Sequence, residues 1–424
     1  MNIYIALLIL FPVFVSIVAV RWIYFKILKV AKSKNLVDNP DARKLQKSPV
    51  PVVGGLAVFF GLMFGLLAGS AVSNVFATEF SAFPLGISFM DMLPVVLGMS
   101  VMLYIGCMDD VSGLSPMSRL IIEVLVIFML VLSTGSSIDS LHDLWGVGQL
   151  SMWIAFPLTV FACVGIINAV NMVDGVNGLS SGICISCSLL CGIHFTLSGD
   201  WCNAVLAFCM AASLVPFFVH NVFGNTSRMF IGDAGTMVLG LLMSWFVISI
   251  MHDGVAFNAL GNEGCPTAMV VALFAVPVAD TLRVMTMRVV NGNSPFSPDK
   301  THLHHAFVGL GVSHSVTMLS EIFIGFMVVL AWVVSVWLGA SYELQFYIVV
   351  LVAAVLVWGT YFFLLHEQVS NSRIGRGLRT FSPRTHMGQT EWWQRISYFL
   401  DAPELTEPER KDLKEKLRRK FSNY

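Results

Sequence analysis

Two adjacent carboxylates, Asp109 and Asp110, close an apolar run, Met92 to Met108, that carries no charge. The run has about the length that crosses a bilayer. A second hydrophobic run, Leu120 to Leu132, begins almost at once. Side-by-side acids at a membrane boundary repel each other and attract a cation or a cationic partner. Comparable groups recur further along the chain. Asn168, Asn171 and Asp174 fall on one helical face at steps of three, with Asn177 in a glycine-flanked turn. Asp233 stands among Gly232, Ala234 and Gly235 at the start of another apolar run. There it reads as a helix N-cap or as the anchor of a cation. His302, His304 and His305 crowd one polar loop, with Asp299 as the nearby carboxylate and no Cys to complete a tetrahedral set. They read as a transition-metal site or as hydrogen-bonding partners of phosphate or sugar.

Hard oxygen donors beside basic residues favour Mg²⁺ bridging phosphates over zinc or iron chemistry. A phosphate ester soluble in water arrives from the cytosol, and a lipid arrives sideways from the bilayer. Phosphoryl transfer between a nucleotide and a lipid suits that geometry, because the metal offsets diphosphate charge while the protein positions the in-line attack. An ion-coupled transporter is the rival class. Its relay acids belong mid-bilayer on broken helices, often in two related halves. These acids gather at one face, without a second copy.

Of 424 residues, 56% are hydrophobic and 12% charged, with a mean hydropathy of +0.77. Soluble domains carry about twice that charge. The chain is expected to be an all-α polytopic membrane protein. Eleven windows are long enough to span, at 3–25, 53–73, 91–108, 117–134, 151–171, 179–197, 201–219, 234–251, 266–286, 316–339 and 345–366. All 25 Lys and Arg fall on one side of this layout. The positive-inside rule then places the N-terminus in the periplasm and the C-terminus in the cytoplasm. Cys265, in an outer loop, is expected to react with an impermeant thiol reagent. The eight Cys show no metal or disulfide pattern, and Cys184, Cys187 and Cys191 read as small apolar packing residues at helical spacing. Glu123 follows Arg119 by four residues and Asp280 precedes Arg283 by three, so both read as intrahelical pairs. Gly54-Gly55 opens the second span where helices approach closely.

Residues 1–366 form the expected transmembrane catalytic domain, with its site on the cytoplasmic face. Residues 367–424 form a basic tail with twelve Lys or Arg against eight acids. Thr406-Glu407-Pro408-Glu409 reads as a capping box that starts an amphipathic helix bearing Leu413, Leu417 and Phe421, lying on the inner membrane surface or on a partner subunit. Nothing points to nucleic acid, and a homo-oligomer stays open.

Five motifs carry a resemblance. Lys47-Ser-Pro-Val-Pro-Val-Val-Gly-Gly, Met108-Asp-Asp, Asn168-Ala-Val-Asn-Met-Val-Asp-Gly-Val-Asn-Gly, Gly232-Asp-Ala-Gly and Ser294-Pro-Phe-Ser-Pro-Asp-Lys-Thr-His-Leu-His-His occur in order. Together they resemble the polyprenyl-phosphate N-acetylhexosamine 1-phosphate transferases. The histidine motif is similar to the branch that transfers N-acetylglucosamine 1-phosphate to undecaprenyl phosphate in bacteria. The match runs from about residue 36 to 315, and the eleven-span layout extends it to 366. The Lys-to-Gly-Gly spacing departs from the peptidoglycan branch, which bears on Lys47.

The resemblance implies that UDP-GlcNAc and undecaprenyl phosphate give undecaprenyl-diphospho-GlcNAc and UMP, with Mg²⁺ or Mn²⁺. The setting it implies is the bacterial inner membrane, at the first membrane step of a cell-surface polysaccharide of O-antigen or common-antigen type. It makes Asp233 the metal's carboxylate ligand with Asn171 beside it, and gives Asp109 and Asp110 the lipid phosphate, Asp109 as general base. Lys47, Arg119 and Arg288 become phosphate contacts. Asn168, Asp174, Asn177 and the loop of His302, His304 and His305 become further substrate contacts. A phosphate monoester with second pKa ≈ 6 is already mostly dianionic at neutral pH, so positioning of the acceptor is the alternative role for the Asp109–Asp110 pair.

Overall fold

Apolar segments that enter lipid must satisfy their backbone amides internally, and they do so as helices. The computed structural model describes residues 3–39, 48–79, 89–255, 257–259, 261–294, 301–370 and 372–421. Its first eight helices are α1 (Ile3–Ser33), α2 (Gly54–Glu79), α3 (Leu93–Ser112), α4 (Pro116–Thr134), α5 (Met152–Met172), α6 (Leu179–Ser198), α7 (Trp201–Phe223) and α8 (Gly232–Asp253). A bent pair, α9 (Pro266–Leu273) and α10 (Ala275–Val290), is followed by short α11 (Leu303–Gly309) and long α12 (His314–Trp337). The last long helix starts as α13 (Tyr342–Ala353) and passes through one wide turn into α14 (Thr360–Val369). Among the described residues ten helices are long and apolar enough to cross a membrane, and the bent pair counted as one span makes eleven. The all-α expectation holds, with three two-stranded antiparallel ribbons in the loops among the described residues: β1 (Val37–Asp38) with β2 (Val50–Pro51), β3 (Ser140–Leu144) with β4 (Val147–Gln149), and β5 (Phe257–Ala259) with β6 (Asn262–Gly264).

The ninth window is not one straight helix. It bends by 73° between α9 and α10. Pro277 has no N–H to offer the carbonyl of Leu273, so the ladder breaks there. The thiol of Cys187 on α6 donates to that carbonyl at 3.2 Å instead. Cys265, before α9, is fully buried, so the expected labelling by an impermeant reagent is corrected: a thiol with no exposed surface is closed to it.

At the centre stands α8, whose apolar window is buried throughout. Two glycines let neighbouring backbones reach it. A Cβ on Gly106 of α3 would lie 2.3 Å from Cα of Ala234, and one on Gly55 of α2 would lie 2.4 Å from Cα of Gly235. Close approach of this kind is what small residues give to membrane helix pairs. It brings the ends of α2, α3 and α8 within hydrogen-bonding reach. The N–H groups of Gly54 and Gly55 donate to the carbonyls of Phe230 and Ile231 at 2.9 and 2.8 Å.

The tail is more than one amphipathic helix. It contains α15 (Arg373–Phe381), α16 (Glu391–Asp401) and α17 (Glu407–Phe421). The capping box forms, with Glu409 accepting from the N–H and hydroxyl of Thr406 at 2.8 and 2.7 Å. The segment before it docks on the chain itself. Trp393 of α16 packs on Phe223 of α7 with ring centroids 4.5 Å apart, and Thr385 accepts the N–H and the hydroxyl of Ser313 at 2.9 and 2.6 Å.

Candidate active site

The carboxylates of the Met108-Asp-Asp motif do different things. Asp109, near the end of α3, accepts the N–H of Leu114 at 2.6 Å through Oδ1. Its Oδ2 lies 3.4 Å from Nη1 of Arg119. The same Nη1 lies 3.3 Å from Oδ1 of Asp233, so one guanidinium joins two acids from distant parts of the chain. Arg119 itself is aimed by Glu123, whose Oε1 lies 3.1 Å from Nε. Glu123 is fully buried and its other oxygen accepts from Asn168 of α5. Asp110 points elsewhere. It accepts the backbone N–H groups of Asp233 and Ala234 at 2.9 and 3.1 Å and so caps the first turn of α8. Gly232, at φ +74°, makes room, since a Cβ there would lie 2.6 Å from Oδ2 of Asp110.

Asn168 and Asn171 share one face of α5 as their spacing predicted. Asn171 donates from Nδ2 to Asp233 Oδ1 at 2.5 Å and to Thr236 Oγ1 at 2.7 Å. The amide therefore turns its nitrogen to the carboxylate and holds it in place. Serving as a metal ligand, as the resemblance implied, would require its oxygen at the same point. Asp174 leaves the shared face, because α5 ends at Met172 and the chain turns through Gly175 and Gly178. Its carboxylate accepts from the hydroxyl of Ser180. Burial, reinforced by the nearby charges of Asp233 and Asp110, pushes Asp174 up to about 7. Asn177 sits half-buried in the same turn.

The histidines are reached through Gly175, where a Cβ would lie 2.3 Å from Nε2 of His304. His304 is buried, and its Nδ1 has no hydrogen-bond partner among the described residues. Burial, and then the neighbouring His305 and His302, hold it down to about 3, so it stays neutral near pH 7. Its ring stacks on His302 at 5.7 Å and tilts over His305 at 4.4 Å. His302 is a structural member of the group. Its Nδ1 lies 2.8 Å from Oδ2 of Asp280, and Oδ1 of that carboxylate takes Nη2 of Arg283 at 2.7 Å. Arg283 also reaches the carbonyl of Thr301 and stacks 3.4 Å over the ring of Tyr361. Bent α10 thus carries the post to which the loop is tied. Arg288 lies buried near the end of α10. Lys47 and residues 295–300, Asp299 among them, lie outside the described residues.

The donor set suits a hard divalent cation. Among the described residues no three His, Cys, Asp or Glu side chains converge to enclose a metal by themselves. Mg²⁺ does not need such a cage, since it keeps waters and binds through one or two carboxylates plus substrate phosphates. Asp233, one-third exposed by its side chain and steadied by Asn171, offers such a carboxylate.

Spacing along the sequence concealed several members. By spacing alone Glu123 and Asp280 read as intrahelical partners. Each does pair within its helix, but the second oxygen of each holds a site residue from elsewhere, Asn168 and His302. Asn221 was also missed. It accepts the N–H of Gly178 at 2.6 Å and donates to the carbonyl of Met229 at 2.7 Å, tying the two loops together. The available signal was an amide at the end of an apolar span, repeating the pattern of Asn168 and Asn171.

Residues 92–251 match the family described as glycosyl transferase family 4. The chain is 30% identical over 289 residues, 67% of its own length and 72% of the relative's, to an undecaprenyl-phosphate alpha-N-acetylglucosaminyl 1-phosphate transferase of Yersinia pestis. It is 29% identical over the same shares to the protein of that name in Escherichia coli (strain K12). A "probable undecaprenyl-phosphate N-acetylglucosaminyl 1-phosphate transferase" of Bacillus subtilis (strain 168) is 27% identical over 330 residues, 77% of this chain and 85% of the relative.

Proposed function

The chain belongs to glycosyl transferase family 4, and from that premise we propose that it transfers N-acetylglucosamine 1-phosphate from UDP-GlcNAc to undecaprenyl phosphate. An oxygen of the lipid phosphate attacks the β-phosphorus, the bond between the two phosphorus centres' bridging oxygen and that phosphorus breaks, and UMP leaves. The product is undecaprenyl-diphospho-GlcNAc, the first membrane intermediate of a cell-surface polysaccharide of O-antigen or common-antigen type. The protein sits in the bacterial inner membrane with its N-terminus in the periplasm and its site and tail in the cytoplasm. All the Lys and Arg on one side support that orientation.

The observation that carries the reading is the meeting of Asp109, Arg119, Asn171 and Asp233 from α3, α4, α5 and α8 at one end of the bundle. Asp233 would hold Mg²⁺ or Mn²⁺, which when bound neutralises charge on the diphosphate. Asn171 and Thr236 fix that carboxylate. Arg119 supplies a fixed positive charge between Asp109 and Asp233, where phosphate oxygens gather. Both oxygens of Asp109 are engaged, one by Leu114 and one by Arg119, which favours positioning of the acceptor over proton removal. The turn bearing Asp174 and Asn177, with neutral His304 and its neighbour His305, forms the flank available to the nucleotide sugar. Purified protein given undecaprenyl phosphate and a panel of UDP-sugars tests the reading. UMP release with UDP-GlcNAc is expected, and release with a different UDP-N-acetylhexosamine alone would reassign the sugar.

A further inference from the structure

The tail lies outside the matched region 92–251, yet one of its acids is bonded into the loop that leads to Asp233. Asp401, the last residue of α16, is 3% exposed. Its carboxylate accepts the N–H of Asn225 at 3.2 Å on each oxygen, that of Thr226 at 3.3 Å and that of Ser227 at 3.0 Å. The hydroxyl of Ser227 donates to it at 2.6 Å. Successive amides around one oxyanion form a backbone nest. A buried carboxylate is kept only where donors of this kind replace water.

The other edge of the loop is held as well. Tyr24 donates to the carbonyl of Ser227 at 2.7 Å, and Lys32 to that of Thr226 at 2.7 Å. Lys32 also pairs with Glu404, just beyond α16. Downstream, Met229 is bonded to Asn221, which bonds Gly178 in the turn of Asp174 and Asn177. Phe230 and Ile231 are bonded to Gly54 and Gly55, and α8 with Asp233 follows. A displacement at 225–227 therefore reaches the carboxylate ligand and the substrate-side turn together. Simple docking of α16 does not call for a buried charge, since Trp393 against Phe223 already provides an apolar contact.

We propose that Asp401 is a positioning residue for the transferase site: it fixes the loop between α7 and α8 and, through it, the place of Asp233. This inference rests on the proposed reaction. Its test uses the full-length protein and compares Asp401→Asn with Trp393→Leu, which loosens the same helix without touching the loop. Hydrogen exchange of the 225–233 amides without substrate reads the clamp. The Mg²⁺ half-saturation and kcat of UMP release read its consequence. With charge-assisted bonds lost, Asp401→Asn is expected to speed that exchange, raise the Mg²⁺ half-saturation and lower kcat, each by about tenfold, while Trp393→Leu stays within about twofold. Asp401→Glu should recover part of each loss. If Asp401→Asn does not fold, Ser227→Ala removes only the hydroxyl bond and should shift the same readouts in the same direction by about threefold. Equal effects of Asp401→Asn and Trp393→Leu, or unchanged exchange at 225–233, would overturn the proposal. Absence of UMP release from the parent protein would count against the reaction, and the exchange data would still decide the clamp.

Discussion

The carboxylate of Asp110 lies 2.9 Å from the N–H of Asp233. One acid of the Met108-Asp-Asp motif thus caps the helix that presents the candidate metal ligand, while its neighbour Asp109 faces Arg119. An N-terminal turn capped by a carboxylate gains both satisfied donors and a favourable interaction with the helix dipole. The motif reads in sequence as a pair, and in space it is two single residues with separate tasks.

Asp110→Ala should therefore lower stability by about 1–2 kcal/mol and raise the Mg²⁺ requirement, because α8 loses its cap and Asp233 its fixed position. Asp110→Asn keeps one acceptor oxygen and should show a smaller loss of both. Thermal melting and Mg²⁺ titration measure it. An unchanged melting temperature with abolished turnover would place Asp110 on the substrate instead.

Asp233→Asn and Asp109→Asn should separate. The first keeps shape and removes the charge that would hold a cation, so residual activity should need far more Mg²⁺ or Mn²⁺. The second should keep near-normal metal dependence and lose turnover. If Asp109 acts as a base, the loss should be about 10²–10⁴-fold with partial recovery at higher pH. A pH-independent loss would mark positioning, the role its two engaged oxygens favour.

Asp174 gives a pH signature. Its folded value of about 7 lies above the ordinary value near 3.9, so the folded protein binds the extra proton between those limits. Its contribution to stability is present below about pH 4 and is lost as pH rises to about 7. In EDTA, the melting temperature of the parent protein should fall more between pH 5 and pH 8 than that of Asp174→Asn. Parallel curves for the two proteins would contradict this.

Orientation can be read with cysteines. Cys265 is buried and unsuited to the purpose. Val147→Cys, at the exposed start of β4, should react with an impermeant reagent on intact cells, and Glu407→Cys, exposed at the start of α17, only after permeabilisation. The reverse pattern would invert the topology.

Much of this molecule was legible in its sequence because a bilayer imposes simple rules. Uncharged runs became helices close to their expected bounds, and the polar groups of Asp109, Asn168, Asn171 and Asp233 came together at one end as their place at span boundaries implied. What sequence spacing could not show were relations through space. The bend at Phe274 depends on Pro277 lacking a donor and on Cys187 arriving from another helix. The second bonds of Glu123 and Asp280 depend on partners far along the chain. In sequence Asp401 is one of eight acids in a basic tail, and only the fold of that tail back onto α7 reveals the nest around it.

The central claim is that the sugar leaves with its phosphate. UDP-GlcNAc labelled at the β-phosphorus, supplied with undecaprenyl phosphate and Mg²⁺, decides it. The label should pass into a chloroform-soluble lipid while unlabelled UMP is released, and added UMP should reverse the transfer, because one phosphoanhydride replaces another. Label retained in free UDP, with unlabelled sugar on the lipid, would mean cleavage at the sugar carbon and would contradict the account.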